Sequence, residues 1–120
     1  MRILLPVLAY ACASALASPA SAHAFLDHAS PAVGSTVHAP PAQVKLWFTQ
    51  KLEPAFSKAQ VSDSSGKRVD QADARVDDGD RTVLTVSVPQ LAPGRYRVKW
   101  RVLSVDTHVT EGDYSFDVAR

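Results

Sequence analysis

Two places in this sequence hold side chains that donate electron pairs to a metal ion. The first is His23, which follows Ala20-Ser21-Ala22, a small-x-small cleavage site. Cutting after Ala22 makes His23 the first residue of the exported chain. A free N-terminal histidine presents its α-amine and Nδ1 together and closes a six-membered chelate ring. An internal histidine offers one nitrogen per metal. The second place is Asp106-Thr107-His108. In an extended segment, residues two apart share a side, so Asp106 and His108 are expected to face one ion together. Each feature also has a plainer reading. Any residue can follow a cleavage site, and an isolated Asp-x-His is more often a capped, solvated turn.

Taken together, the donors are two imidazoles, one amine and one carboxylate. This four-donor nitrogen and oxygen set suits tetragonal Cu(II), which also heads the divalent affinity order. Zn(II) can use the same donors tetrahedrally. A deprotonated Ala24 amide is a further donor for copper. The soft ligands are missing from the exported part: Met1 and Cys12 are the only sulfur residues and both precede the cut. That disfavours Cu(I) and excludes a disulfide or a thiolate nucleophile.

The remaining candidates read as ordinary surface. His28 and His38 flank a Pro/Ser-rich loop and are taken as exposed, with a metal contact from either left open. Asp77-Asp78-Gly79-Asp80 lacks the twelve-residue calcium-loop pattern and reads as a solvated turn. Arg95, Arg97, Lys99 and Arg101 form the wet face of a strand, with docking of an acidic partner as the alternative. No G-x-S-x-G elbow supports a hydrolase. Trp47 and Trp100 read as packing residues.

A folded domain beyond the leader must position these donors. Arg2 starts a positive n-region, and residues 3–16 are apolar but short for a membrane span. Residues 1–22 are therefore expected to be a signal peptide and 23–120 a single domain in the periplasm. A lipoprotein anchored at Cys12 is the alternative and would remove the His23 site. Without Arg2 the charges balance at 12 against 12, from 13 basic and 12 acidic residues in the whole chain. That gives no basic excess for nucleic acid.

Period-two alternation marks strands around residues 44–49, 82–88, 95–102 and 114–118, with shorter ones at 24–28 and 59–62. Ser30-Pro31, Pro40-Pro41, Ser65-Gly66, Asp78-Gly79 and Pro93-Gly94 punctuate them. Pro93-Gly94 suits a type II turn. No stretch is a convincing amphipathic helix. About seven short strands in roughly a hundred residues point to an all-β, two-sheet sandwich or Greek-key barrel.

These residues resemble the CopC family of periplasmic copper-resistance proteins. The resemblance runs through His23 with Ser30-Pro31-Ala32, Leu46-Trp47-Phe48-Thr49, and Leu91 to Val98 read as L-x-x-G-x-Y-x-V. It continues through Val98-Lys99-Trp100, Ser104-Val105-Asp106-Thr107-His108 and Gly112-Asp113-Tyr114-Ser115-Phe116. It covers the whole exported chain, and the D-T-H motif is its most specific part. It implies a cupredoxin-like, Ig-like barrel of seven strands and one Cu(II) ion held by His23, Asp106 and His108. It also implies copper carriage or buffering beside a CopD-like inner-membrane protein, by a monomer that is not itself membrane-embedded and not an enzyme. Two departures stand out. The stretch around 62–78 lacks the methionines that some relatives use for Cu(I). Gln50 stands where many relatives have Glu, so it cannot add negative charge and is left to hydrogen-bond a ligand from behind.

Two rival functions remain on the residues alone. A histidine-brace copper oxygenase also uses an N-terminal histidine plus a second one, although Asp106 would occupy a position that oxygen needs. A metal-free Ig-like interaction module would show the same strand pattern.

Overall fold

The computed structural model describes residues 24–120; the expected signal peptide, Cys12 and His23 lie outside them. Eight strands form: β1 (Leu26–Ser30), β2 (Thr36–Val37), β3 (Gln43–Phe48), β4 (Lys58–Asp63), β5 (Arg75–Val76), β6 (Val83–Ser87), β7 (Gly94–Leu103) and β8 (Val109–Val118). The one helical piece among them is a single 3-10 turn, Pro54–Phe56. The strands pair into two four-stranded sheets ordered β1-β3-β6-β5 and β2-β8-β7-β4. Every neighbouring pair is antiparallel except β2 with β8. The architecture is an all-β sandwich.

The alternation in the sequence determines which side of each strand is dry. In β3, Val44, Leu46 and Phe48 are buried while Gln43, Lys45 and Trp47 face outward. In β7, Tyr96, Val98 and Val102 point inward against Arg95, Arg97, Lys99 and Arg101 outside. Val61, Leu84, Val86, Tyr114 and Phe116 complete the layer between the sheets. Each such side chain contributes about 1.5–3 kcal/mol by leaving water. Three of the four outer cations of β7 are matched by acids on β8: Arg95 with Asp117 (2.9 Å), Arg101 with Glu111 (3.3 Å) and Arg97 with Asp113 (3.9 Å). The cationic stripe is a solvated strand face, as the alternation implies.

Several expectations need correction. The first strand begins at Leu26 rather than Ala24, because the two residues before it bond elsewhere. The Ala24 carbonyl accepts from Thr110 of the opposite sheet, and the Phe25 amide donates to the Thr49 hydroxyl. The last strand begins at Val109, not Tyr114. Its first half carries Glu, Gly and Asp, which hide the alternation; pairing with β7 along the whole hairpin makes it a strand. β2 and β5 are two residues each, below the length at which a period can be read. Gly94 has φ of +151°, not the value near +80° of a type II turn, and already pairs with Val118. The corner before it is fastened by the Tyr96 hydroxyl, which donates to the Ala92 carbonyl at 2.6 Å, as in a tyrosine corner.

One glycine has a packing role. Gly112 is the cross-strand partner of Trp100, and a Cβ there would sit 2.2 Å from the indole Cζ2. The missing side chain lets Trp100 lie flat on β8 and meet Phe48 and Tyr114 at centroid distances of 6.1 and 6.3 Å. Trp100 therefore packs as its alternation implies. Trp47 packs on the outer face instead, under a stacked His28 ring 4.3 Å away.

Candidate metal centre

The β7–β8 hairpin ends in a five-residue loop, 104–108, at one end of the sandwich. Asp106 and His108 sit on it. The extended geometry expected for Asp106-Thr107-His108 is not what brings them together. The segment is a tight turn: Thr107 adopts φ of +71°, the Thr107 amide donates to the Ser104 carbonyl (2.9 Å), and the Ser104 amide donates to the His108 carbonyl (3.0 Å). A β-branched residue in the left-handed region costs of order 1 kcal/mol or more. The turn carries His108 Nδ1 to 3.5 Å from Asp106 Oδ1.

Ser104 holds the Asp106 side chain and the His108 backbone. It is fully buried and bridges antiparallel to Leu52, also fully buried. Its hydroxyl donates to Asp106 Oδ1 in a very short contact and lies 3.3 Å from the His108 amide. That contact, first of all, holds the Asp106 carboxyl below the usual carboxylate range, and the nearby His108 adds to the effect. Asp106 is therefore ionised at neutral pH and available as an oxygen ligand. Donor chemistry alone does not single out Ser104. Its signal is nonetheless present in the sequence: a serine two residues before an aspartate is a turn-forming arrangement.

The loop is tied to the start of the described chain. Thr110, two residues after His108, donates to the Ala24 carbonyl at 2.6 Å, and Ala24 is fully buried. His23 is joined to Ala24 by a single peptide bond. On the other side, the Val105 amide donates to the Lys51 carbonyl, and the Thr49 amide donates to the Phe25 carbonyl. Gln50 thus lies on the segment between the N-terminal residues and the loop.

Among the described residues no group of three or more His, Cys, Asp or Glu is poised to hold a metal ion. Asp106 and His108 supply two donors of a kind that fits copper or zinc. His28 does not approach the loop cluster in this way. It pairs with Asp27 at 2.7 Å and stacks on Trp47. His38 is exposed beyond β2. The Asp77–Asp80 turn is closed by Asp77 accepting from the Gly79 and Asp80 amides, as a solvated turn should be.

The model of the CopC domain matches residues 26–119. The chain belongs to the CopC family. Copper resistance protein C of Xanthomonas campestris pv. juglandis is 36% identical over 113 residues, covering 88% of this chain and 87% of that protein. The crystal structure of CopC from Methylosinus trichosporium OB3b superposes with a TM-score of 0.76 at 44% identity, covering 81% of this chain and 94% of that one. PcoC of Escherichia coli, described as a methionine-rich copper resistance protein, superposes at 0.70 with 32% identity over 81% of this chain and 99% of its own. Within this CopC-family fold the present chain is not methionine-rich, since Met1 is its single methionine. Any metal chemistry of its CopC domain rests on nitrogen and oxygen donors. Among the described residues no helix is long and apolar enough to cross a membrane.

Proposed function

We propose that this CopC-family chain is a copper-binding copper-resistance protein that takes one Cu(II) ion at the loop end of its sandwich. The ligands are the His23 α-amine and ring nitrogen, the Asp106 carboxylate and the His108 ring. Residues 1–22 act as a cleaved signal peptide, residues 23–120 form the exported domain, and the site works in the periplasm. The observation that carries the reading is the hydrogen bond from Thr110 to the Ala24 carbonyl. It fastens the chain one residue after His23 to the strand that starts directly after His108, beside an ionised Asp106.

Copper here is cargo. Two imidazoles, an amine and a carboxylate are donors that would suit Cu(II). The Asp106 carboxylate would fill a position that an oxygen-activating enzyme needs open, which supports carriage of copper over catalysis. Gln50 acts from behind the ligands by hydrogen bonding. The monomer passes its ion to a CopD-like inner-membrane protein. Each ligand must lose a proton to bind, with reference pKa values of about 8 for the amine and about 6.5 for histidine. Affinity therefore falls as pH falls through that range.

The test is mass spectrometry of the exported protein with and without Cu(II), joined to a Cu(II) titration of the His23→Ala protein. A chain starting at His23 and holding one copper, with binding lost in the variant, is expected. A different first residue, or equal affinity in the variant, overturns the assignment.

A further inference from the structure

The large apolar side chains left exposed are not scattered. Among the described residues they are Phe25, Val33, Phe56, Val105 and Val109. All but Val33 belong to the segments that meet at the loop end of the sandwich. Val105 and Val109 flank the Asp106–His108 turn, Phe25 is bonded to Thr49 beside it, and Phe56 stands on the 3-10 turn across from Val109. Phe56 is 64% exposed. An apolar concentration of this kind, rimmed by charge, marks an interaction surface rather than chance exposure.

Its shape and charge narrow the partner. Ala55, Phe56, Leu103 and Val109 line an open hollow of about 500 Å³, closed on one side by Lys58 and Arg101. Lys58 and Arg101 are directly opposed across β4 and β7. Like charges in that position destabilise a sheet. Arg101 has one acid, Glu111 at 3.3 Å, and Lys58 has no ion-pair partner among the described residues. The pair is a cost to folding that an anionic partner would offset. A second copy of this chain, paired two-fold through this face, would bring the same two cations against themselves. A membrane surface would leave the concavity unfilled.

We propose that this hollow docks a segment of a partner protein that inserts an apolar side chain between Phe56 and Val109 and sets carboxylates against Lys58 and Arg101. Because Val109 adjoins His108, a docked partner touches the loop that carries Asp106. Docking there places a copper donor or acceptor beside the ion. That role rests on the copper reading above; the docking itself does not.

The experiment uses ¹⁵N-labelled protein expressed from the full sequence, without metal. It is titrated with a short capped peptide of a Leu-Phe centre flanked by glutamates, with the same centre flanked by lysines, and with phosphatidylglycerol vesicles. Amide shifts confined to residues 55–58, 101–103 and 109 are expected with the acidic peptide. Its binding should weaken with salt. It should fall about ten-fold in Phe56→Ser and in Lys58→Glu, the scale of losing one anchor of an interface. Cu(II) affinity should be unchanged in both variants. Equal binding of both peptides, shifts elsewhere, binding to the vesicles in place of the acidic peptide, or concentration-dependent self-association masking the same amides would each overturn the proposal. Failure of the copper reading would appear separately, in the His23→Ala titration.

Discussion

Replacing Thr110 by Val removes one hydroxyl and keeps shape and strand preference, so it isolates the bond that ties the N-terminal residues to the strand after the 104–108 loop. The Thr110 hydroxyl is the hydrogen-bond partner of the Ala24 carbonyl at 2.6 Å among the described residues, and Ala24 is fully buried. A buried carbonyl left without a donor costs about 1–3 kcal/mol. For a domain near a hundred residues each kcal/mol lowers Tm by about 4–8 °C, so a loss near 2 kcal/mol lowers it by about 8–16 °C. The same bond holds the peptide that follows His23. Releasing it means that ordering this segment must come out of metal binding, and Cu(II) affinity is expected to fall about ten-fold, or about 1.4 kcal/mol. Thermal unfolding followed by circular dichroism reads the first effect, and competition titration with a coloured copper chelator reads the second. Thr110→Ser, which keeps the hydroxyl, should restore most of both. A Tm drop with copper affinity unchanged within two-fold would refute the convergence of the N-terminus on the loop. An unchanged Tm would refute the structural premise itself.

Other substitutions probe the scaffold. Gly112→Ala drives a methyl into the Trp100 ring, where the nearest atom would be 2.2 Å away; overpacking of this order costs about 1–3 kcal/mol, read as a shift in urea midpoint together with altered near-ultraviolet tryptophan dichroism. Asp70 is closed off from solvent; burial alone would raise its pKa, but the Arg68 fork and the Val61 and Ala72 amides outweigh it and hold the carboxyl below its usual value. A lowered folded-state pKa contributes stability that is present above the unfolded value near 3.9 and is lost as pH falls through the folded one. Asp70→Asn should therefore be less stable than the parent at pH 7 and should show a shallower loss of stability below about pH 4, measured by denaturation across pH; a parallel acid profile would contradict the assignment. Asp63, Asp73, Asp80, Asp106 and Asp117 are shifted in the same direction, so part of the acid limb remains in that variant.

Much of the architecture was legible from residue order because it depends on a period of two. Val44, Leu46 and Phe48, or Tyr96, Val98 and Val102, announce a strand and its buried side together, and no other element tolerates that spacing over a half-dry surface. That Asp106 and His108 carry oxygen and nitrogen donors was equally readable, since donor type is a property of the side chain; their role as ligands belongs to the proposal. The mismatch with a sulfur-based copper site was readable too, because residues 13–120 contain no methionine or cysteine.

What needed the tertiary structure was everything set by residues distant in the chain. The first half of β8 is polar, and only its ladder with β7 makes it a strand. The pairing of Asp106 with His108 comes from a left-handed Thr107 and a buried Ser104 bridged to Leu52, not from the extended spacing that suggested it. The link from Ala24 to Thr110 spans the two sheets, and local periodicity carries no information about which distant hydroxyl a carbonyl will meet. Side-chain chemistry is written residue by residue. Convergence is decided by packing, because only the assembled sandwich brings the buried Ala24 carbonyl to the Thr110 hydroxyl and the Ser104 backbone to Leu52, each far away in sequence.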